Sequence, residues 1–196
     1  MINAVNVPPV TGELLEKIGP YLELGDRMGC LSTQLSGGPI KEIVIEYAGD
    51  FQELDLSPVT TAILKGMLTP MVKDDVNFVN AEVMARERGI KVTETTVGDT
   101  DEYINLITVQ AISDEDTSYV AGTIFGKKNP RVVNINHFRL ELEPAGRFIL
   151  IRNYDKPGAI GSIGTTLGDH NINISKMRVG QEEVGDNTVI FLRTDD

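Results

Sequence analysis

Cysteine is almost absent here: Cys30 stands alone among 196 residues, so no internal disulfide can form. A nucleophilic role for Cys30 would need a paired base, and a packed or idle thiol is the simpler reading. Histidine is as scarce. His137 and His170 are the two in the chain, too few to build a metal-ligand cluster. Basic residues are outnumbered, 18 against 29 acidic, and the formal net charge is −11. Nucleic acid and anionic membranes both demand a basic face, so neither is an expected partner. No apolar run approaches the roughly 18 residues that a membrane span needs, and no basic-then-apolar leader opens the sequence. The chain therefore reads as cytoplasmic.

What is present is ordinary for a globular protein, 41% hydrophobic and 24% charged, at a length that suits one large domain or two small ones. Met1 to Pro9 reads as extended, because each proline pushes its predecessor out of the helical region. Thr11 reads as an N-cap for a helix with Leu14, Leu15, Ile18, Leu22 and Leu24 on its apolar face, kinked at Pro20. A strand is expected to begin at Leu31–Leu35 and another to run Ile40–Tyr47, with a turn at Ser36–Pro39 between them. Ser57-Pro58 opens a second helix and Ala81–Arg88 forms a third, stopped by Gly89. Strands are predicted at 90–97, 103–112, 119–125 and 132–142, the last two joined by a turn through Gly126–Pro130. Antiparallel hairpins after a helical part make the class α+β.

The stretch RFILIRNYDKPGAIGSIGTTLGDHNINISKMRV, Arg147 to Val179, is the most informative. Phe148–Tyr154 alternates as a strand, and Asp155-Lys156-Pro157-Gly158 breaks that period with a turn. Ile160, Ile163 and Leu167 then recur along one helical stripe. Alternation restarts at Asn171–Ser175, and a third strand, Thr188–Leu192, follows the turn at Gly185–Asn187. Gly158, Gly161 and Gly164 mimic a dinucleotide-binding turn, but their spacing is G-x-x-G-x-x-G and the acidic residue about 20 positions on is missing. No nucleotide site is supported. His170 ends the helix at its negative pole, and His137 falls in a predicted strand.

Strand, D-x-P-G turn, helix and N-I strand in this order resemble the first three quarters of an ACT domain, a small amino-acid-binding module. The run Asn153-x-Asp155-x-Pro157-Gly158 with Asn173 resembles in particular the ACT domain of D-3-phosphoglycerate dehydrogenases, where the corresponding positions hold L-serine. The chemistry suits a zwitterion. The amides of Gly158, Ala159 and Ile160 open a helix that attracts a carboxylate. Asp155 would hold the ammonium, and Asn153 and Asn173, on strands taken to be adjacent, a small polar side chain. The residue types alone also fit a plain reading, with Asp155 and Pro157-Gly158 making a turn and cap and the asparagines satisfying loop backbone. In the family two ACT domains lie side by side, which implies that Asn173 comes from the second subunit of a homo-oligomer.

NAVNVPPV (Asn3–Val10) and SPVTTAILKGMLTPMVKDDVNFVNAEVMARERGI (Ser57–Ile90) carry a second resemblance, to the intervening domain of long-form D-3-phosphoglycerate dehydrogenases. The expected division is an intervening domain over 1–143 and an ACT domain over 144–196. The resemblance covers nearly the whole chain and implies the L-serine-sensing, oligomerising part of a subunit whose catalytic half binds NAD; no cofactor is expected in this chain. The catalytic histidine, arginine and glutamate have no counterpart, and the module's second helix and fourth strand do not follow Asp196. The first ACT strand is then expected to keep one edge unpaired. The family's anion site is matched at Arg131, with Lys127 and Lys128 nearby, but Glu141 stands at a second basic position. Two further readings are the β-subunit of an iron–sulfur L-serine dehydratase and a stand-alone amino-acid sensor.

Overall fold

The computed structural model describes residues 12–51, 54–73, 75–100, 102–154, 156–182 and 187–195, the side chains of Glu13, Gln181, Glu182 and Asn187 excepted. Helix α1 (Gly12–Leu35) leads into β1 (Glu42–Gly49), α2 (Ser57–Leu68) and α3 (Ala81–Glu87). Strands β2 (Lys91–Val97), β3 (Asn105–Ile112), β4 (Thr117–Phe125), β5 (Asn129–Ile135) and β6 (Phe138–Leu142) complete a six-stranded sheet in the order β2-β1-β3-β4-β5-β6. Then come β7 (Phe148–Tyr154), α4 (Ala159–Asp169), β8 (Ile174–Glu182) and β9 (Asn187–Thr194), a smaller antiparallel sheet ordered β8-β9-β7. The two sheets join edge to edge where Phe138 and Arg139 of β6 pair with Glu182 and Gln181 of β8. The class is α+β. No described helix is long and apolar enough to cross a membrane.

Alternation builds the main core. Ile45, Val109, Val120 and Ile135 are cross-strand neighbours on β1, β3, β4 and β5, all essentially inaccessible. They share the core with Ile18, Leu24 and Met28 of α1 and Val59, Ile63 and Met67 of α2.

Three expectations are corrected. The segment Leu31–Leu35 is the end of α1 rather than a strand, and Pro20 lies within that helix. Glycines 25 and 29 look like helix breakers in sequence but face α2. A Cβ on Gly29 would stand 2.0 Å from Ile63 O, and one on Gly66 of α2 1.8 Å from Asp26 O. The helices approach through these notches, and packing overrides local propensity. The strand expected over 132–142 is two strands, because Asn136 takes φ +53° and its Oδ1 accepts the Tyr119 N–H at 2.9 Å. His137 consequently sits exposed in that turn rather than in a strand. Finally, β1 and β2 pair in parallel, so the sheet is not a simple run of hairpins. The smaller unit follows expectation more closely: β7 has the expected bounds, and its outer edge pairs with no strand among the described residues. The expectations for residues 1–11, including the Thr11 cap, lie outside the described residues.

The notches give a stability test. Gly29→Ala and Gly66→Ala each force the helices apart and are expected to cost about 2–3 kcal/mol in urea unfolding. Gly19→Ala in the same helix, where nothing lies within 4 Å, should instead be neutral or stabilise by up to about 1 kcal/mol.

Candidate functional site

Strand β7 ends by delivering Asn153 and Tyr154 to the turn that starts α4. Proline cannot continue a strand ladder, and Gly158 adopts φ +91°, a left-handed conformation that glycine takes without a Cβ penalty. The Ala159 N–H donates to the Lys156 carbonyl at 3.2 Å, and the Ser162 N–H to the Gly158 carbonyl at 2.9 Å, closing the first helical turn. Above this turn lies a cavity of about 440 Å³. Its rim is Asn153 and the segment Lys156–Gly161, and its floor is Val179, Thr188 and Ile190 of β8 and β9. Thr188 is buried, and its Oγ1 donates to the Asn153 carbonyl at 3.3 Å, tying the rim to the floor. Lys156, with its ammonium 5.7 Å from the Tyr154 ring centre, is the one charged residue among the described residues lining it. A lysine beside a helix N-terminus makes a cavity that favours a carboxylate.

Four of the six residues expected at the effector site, Asn153, Gly158, Ala159 and Ile160, therefore meet at one cavity. Asp155 lies outside the described residues. Asn173 does not join them. It precedes β8, which is separated from β7 by β9, so the two asparagines are not on adjacent strands. Asn153 pairs with Thr188 while the Asn173 carbonyl meets the Asp195 N–H just past the end of β9, seven residues further on, or about 23 Å. The Asn173 amide donates to the Asp195 carboxylate. Lys156, Thr188, Val179 and Ile190 were missed by the sequence reading. Lys156 was visible inside the turn motif, whereas the other three belong to strands whose register the sequence does not disclose. His170 meets the expectation for a helix end: its Nδ1 lies 2.8 Å from the Thr166 carbonyl.

The expected anion site is built differently. Arg131 Nε lies 3.4 Å from Glu141 Oε1, and its Nη1 donates to the Pro130 carbonyl at 2.8 Å. Lys127 and Lys128 occupy the exposed β4–β5 turn and do not line the small cavity beside Arg131. Lys176, Arg178 and Arg193 of the smaller sheet line it instead, with Glu141 and Glu143. Lys176 and Arg193 face each other across β8 and β9, a like-charge pair that Glu143 offsets by accepting from Lys176 Nζ at 2.7 Å. Among the described residues no group of three or more His, Cys, Asp or Glu could hold a metal ion.

An α+β chain whose second part carries a strand–turn–helix cavity of this kind has the architecture of an intervening domain followed by an ACT domain. Residues 147–196 match the ACT domain family, and residues 17–136 match the family described as the D-3-phosphoglycerate dehydrogenase intervening domain. The chain belongs to that intervening-domain family. It is similar to D-3-phosphoglycerate dehydrogenases from Bacillus subtilis (35% identical), Synechocystis (33%) and Methanocaldococcus jannaschii (33%). The matches cover 100%, 99% and 98% of this chain but 37%, 35% and 36% of those proteins. The chain thus spans little more than a third of their length.

The Lys176 hydrogen bond holds the Glu143 carboxyl below the usual glutamate range, with the Lys176, Arg131 and Arg193 charges adding to it. A depressed value means that the pair stabilises the fold above the ordinary glutamate pKa and loses that contribution as pH falls through the folded one. Carboxyl NMR should show Glu143 titrating below an ordinary glutamate, and Lys176→Met should move it upward. An unmoved midpoint in Lys176→Met would refute the assignment.

Proposed function

We propose that this chain is the L-serine-sensing and oligomerising part of a D-3-phosphoglycerate dehydrogenase, with an intervening domain over 1–143 and an ACT domain over 144–196. The cavity at the start of α4 carries the reading. The amides of Gly158 and Ile160 and the Lys156 ammonium receive the effector's carboxylate, and Asp155 in the same turn receives its ammonium. Ala159 contributes its backbone position, its N–H being taken by the Lys156 carbonyl. Asn153 meets the hydroxymethyl group. The separation of about 23 Å between Asn153 and Asn173 supports a site completed by a second copy, whose Asn173 reaches the first copy's cavity. The outer edge of β7 and exposed Tyr154, Ile160 and Val179 offer that copy a surface to cover. An effector shared between two copies favours the assembled pair, and such a preference can act on a distant catalytic domain. NAD-dependent oxidation of 3-phosphoglycerate is assigned to the part of those relatives that this chain does not span.

Calorimetry decides between this and a turn without a ligand. L-serine should bind more tightly than L-alanine or glycine and should raise the dimer fraction in sedimentation. Asp155→Ala should weaken it by about 1–3 kcal/mol, roughly 5- to 150-fold. Asn173→Ala should weaken binding without unfolding the monomer. Equal affinity for L-alanine, or normal serine binding by Asp155→Ala, would remove the proposal.

A second reading concerns the cluster around Arg131. Arg193 and Lys176 favour a phosphate-bearing ligand there, while the Glu141 contact opposes one. Phosphate binding that strengthens in Glu141→Gln and disappears in Arg131→Gln is the expected result. No phosphate binding by either wild type or Glu141→Gln would leave the cluster a structural junction.

A further inference from the structure

The floor of the α4 cavity holds a hydroxyl for which the proposed serine site has no task. Thr188 and Asn153 are direct cross-strand partners on β9 and β7, and Ile190 and Val179 are partners on β9 and β8. All four line the cavity. Side chains two apart on a strand share a face, so Thr188 and Ile190 both stand on the α4 side of the smaller sheet. Val189 and Phe191, one step along the strand from them, belong to the main core cluster instead. Thr188 therefore lies beside Asn153 at the bottom of the cavity, 4% exposed. Cross-strand partners of this kind hold their Cβ atoms about 5 Å apart, close enough for one small group to meet both side chains.

A single proton decides what Thr188 can offer. A threonine hydroxyl has one proton and two lone pairs, and a carbonyl can only accept. The hydrogen bond of 3.3 Å from Thr188 Oγ1 to the Asn153 carbonyl therefore commits that proton. What remains for a ligand is a lone pair. The rim runs the opposite way, because the Lys156 ammonium and the Gly158 and Ile160 amides are all donors. Among the described residues lining the cavity, Asn153 and Thr188 are the two whose side chains can accept a hydrogen bond. The Asn153 amide carries donors as well, so it suits either kind of partner. Thr188, tied to the neighbouring strand, suits donors alone.

We propose that Thr188 selects the effector's side chain, accepting the proton of a hydroxyl whose oxygen the Asn153 amide holds. This rests on the serine-sensing reading and adds to it a specificity residue and a rule: the ligand's side chain is a short hydrogen-bond donor. An aliphatic side chain leaves the Thr188 lone pair unmatched at a floor shielded from water. A carboxylate side chain sets acceptor against acceptor. Val179 and Ile190, which complete the floor, are apolar and offer neither ligand a substitute partner.

Two ligands of nearly equal size test this on the whole chain: L-serine and 3-fluoro-L-alanine, in which fluorine replaces the hydroxyl and cannot donate. Calorimetry should find L-serine about tenfold tighter in the wild type. Thr188→Val keeps the branched shape and removes the oxygen. It should weaken L-serine about tenfold and leave 3-fluoro-L-alanine within about twofold, circular dichroism confirming the fold. Thr188→Ser restores the acceptor and should recover the preference. The unequal loss is the decisive readout, because a purely structural role for Thr188 would weaken both ligands alike. L-serine binding with an unchanged ratio between the two ligands in folded Thr188→Val would overturn the role of Thr188 and leave the serine site standing. Equal affinity of the wild type for the two ligands would overturn it whatever the variants do. No L-serine binding by the wild type would overturn both readings.

Discussion

The seam between β6 and β8 is the contact on which the arrangement of the whole chain rests. Two residue pairs turn a six-stranded and a three-stranded sheet into one nine-stranded order. Gly180 makes this possible, since a Cβ there would meet the Arg139 carbonyl at 3.2 Å and Phe138 Cβ at 3.3 Å. Val189 and Phe191, on the neighbouring strand, are buried in the same cluster as the main core. The seam also gathers charge. Lys176, Arg178 and Arg193 from one side meet Arg131, Glu141 and Glu143 from the other.

Two cavities of opposite electrostatic preference follow from this architecture. The one at the start of α4 combines a helix N-terminus with Lys156 and favours a carboxylate, while a recess on the six-stranded sheet has the carboxylates Glu46, Asp99 and Glu102 among its lining residues. Between the two units lies a further cleft, of about 480 Å³, lined by His137, Phe138 and Arg152. Asn153 and Thr188 line both that cleft and the α4 cavity. Whatever fills the α4 cavity therefore touches residues that also face the first unit. This gives physical continuity between the candidate effector site and the larger part of the chain.

Much of this was legible from residues alone. Period-two alternation, the D-x-P-G turn and the glycine at a left-handed position are local devices, each set by a few neighbouring side chains. β7, the turn and α4 could therefore be placed in advance, while the grouping of Asn153 with Gly158–Ile160 came from the family resemblance. The α1 end, the Asn136 turn and the parallel β1–β2 pair could not. Glycines 25 and 29 act against a helix locally and become favourable when α2 lies 34–38 residues away in sequence, Val59 and Ile63 closing on them. Asn136 turns the chain because its amide finds Tyr119, a partner on another strand.

The order and type of most elements, the net negative charge and the local chemistry of the turn were determined by the sequence itself, because each depends on residues within a few positions of one another. Tertiary structure decided which strands are neighbours, and with them what each side chain faces. It separated Asn153 from Asn173 by placing β9 between β7 and β8. It set Arg131 against Glu141 and beside Arg193 rather than Lys127 and Lys128. It aligned Glu46, Asn134 and Arg139 in one row although they are dispersed over nearly a hundred residues. The reason is the same in each case: strand pairing is non-local, and a shift of one residue would send every side chain to the opposite face.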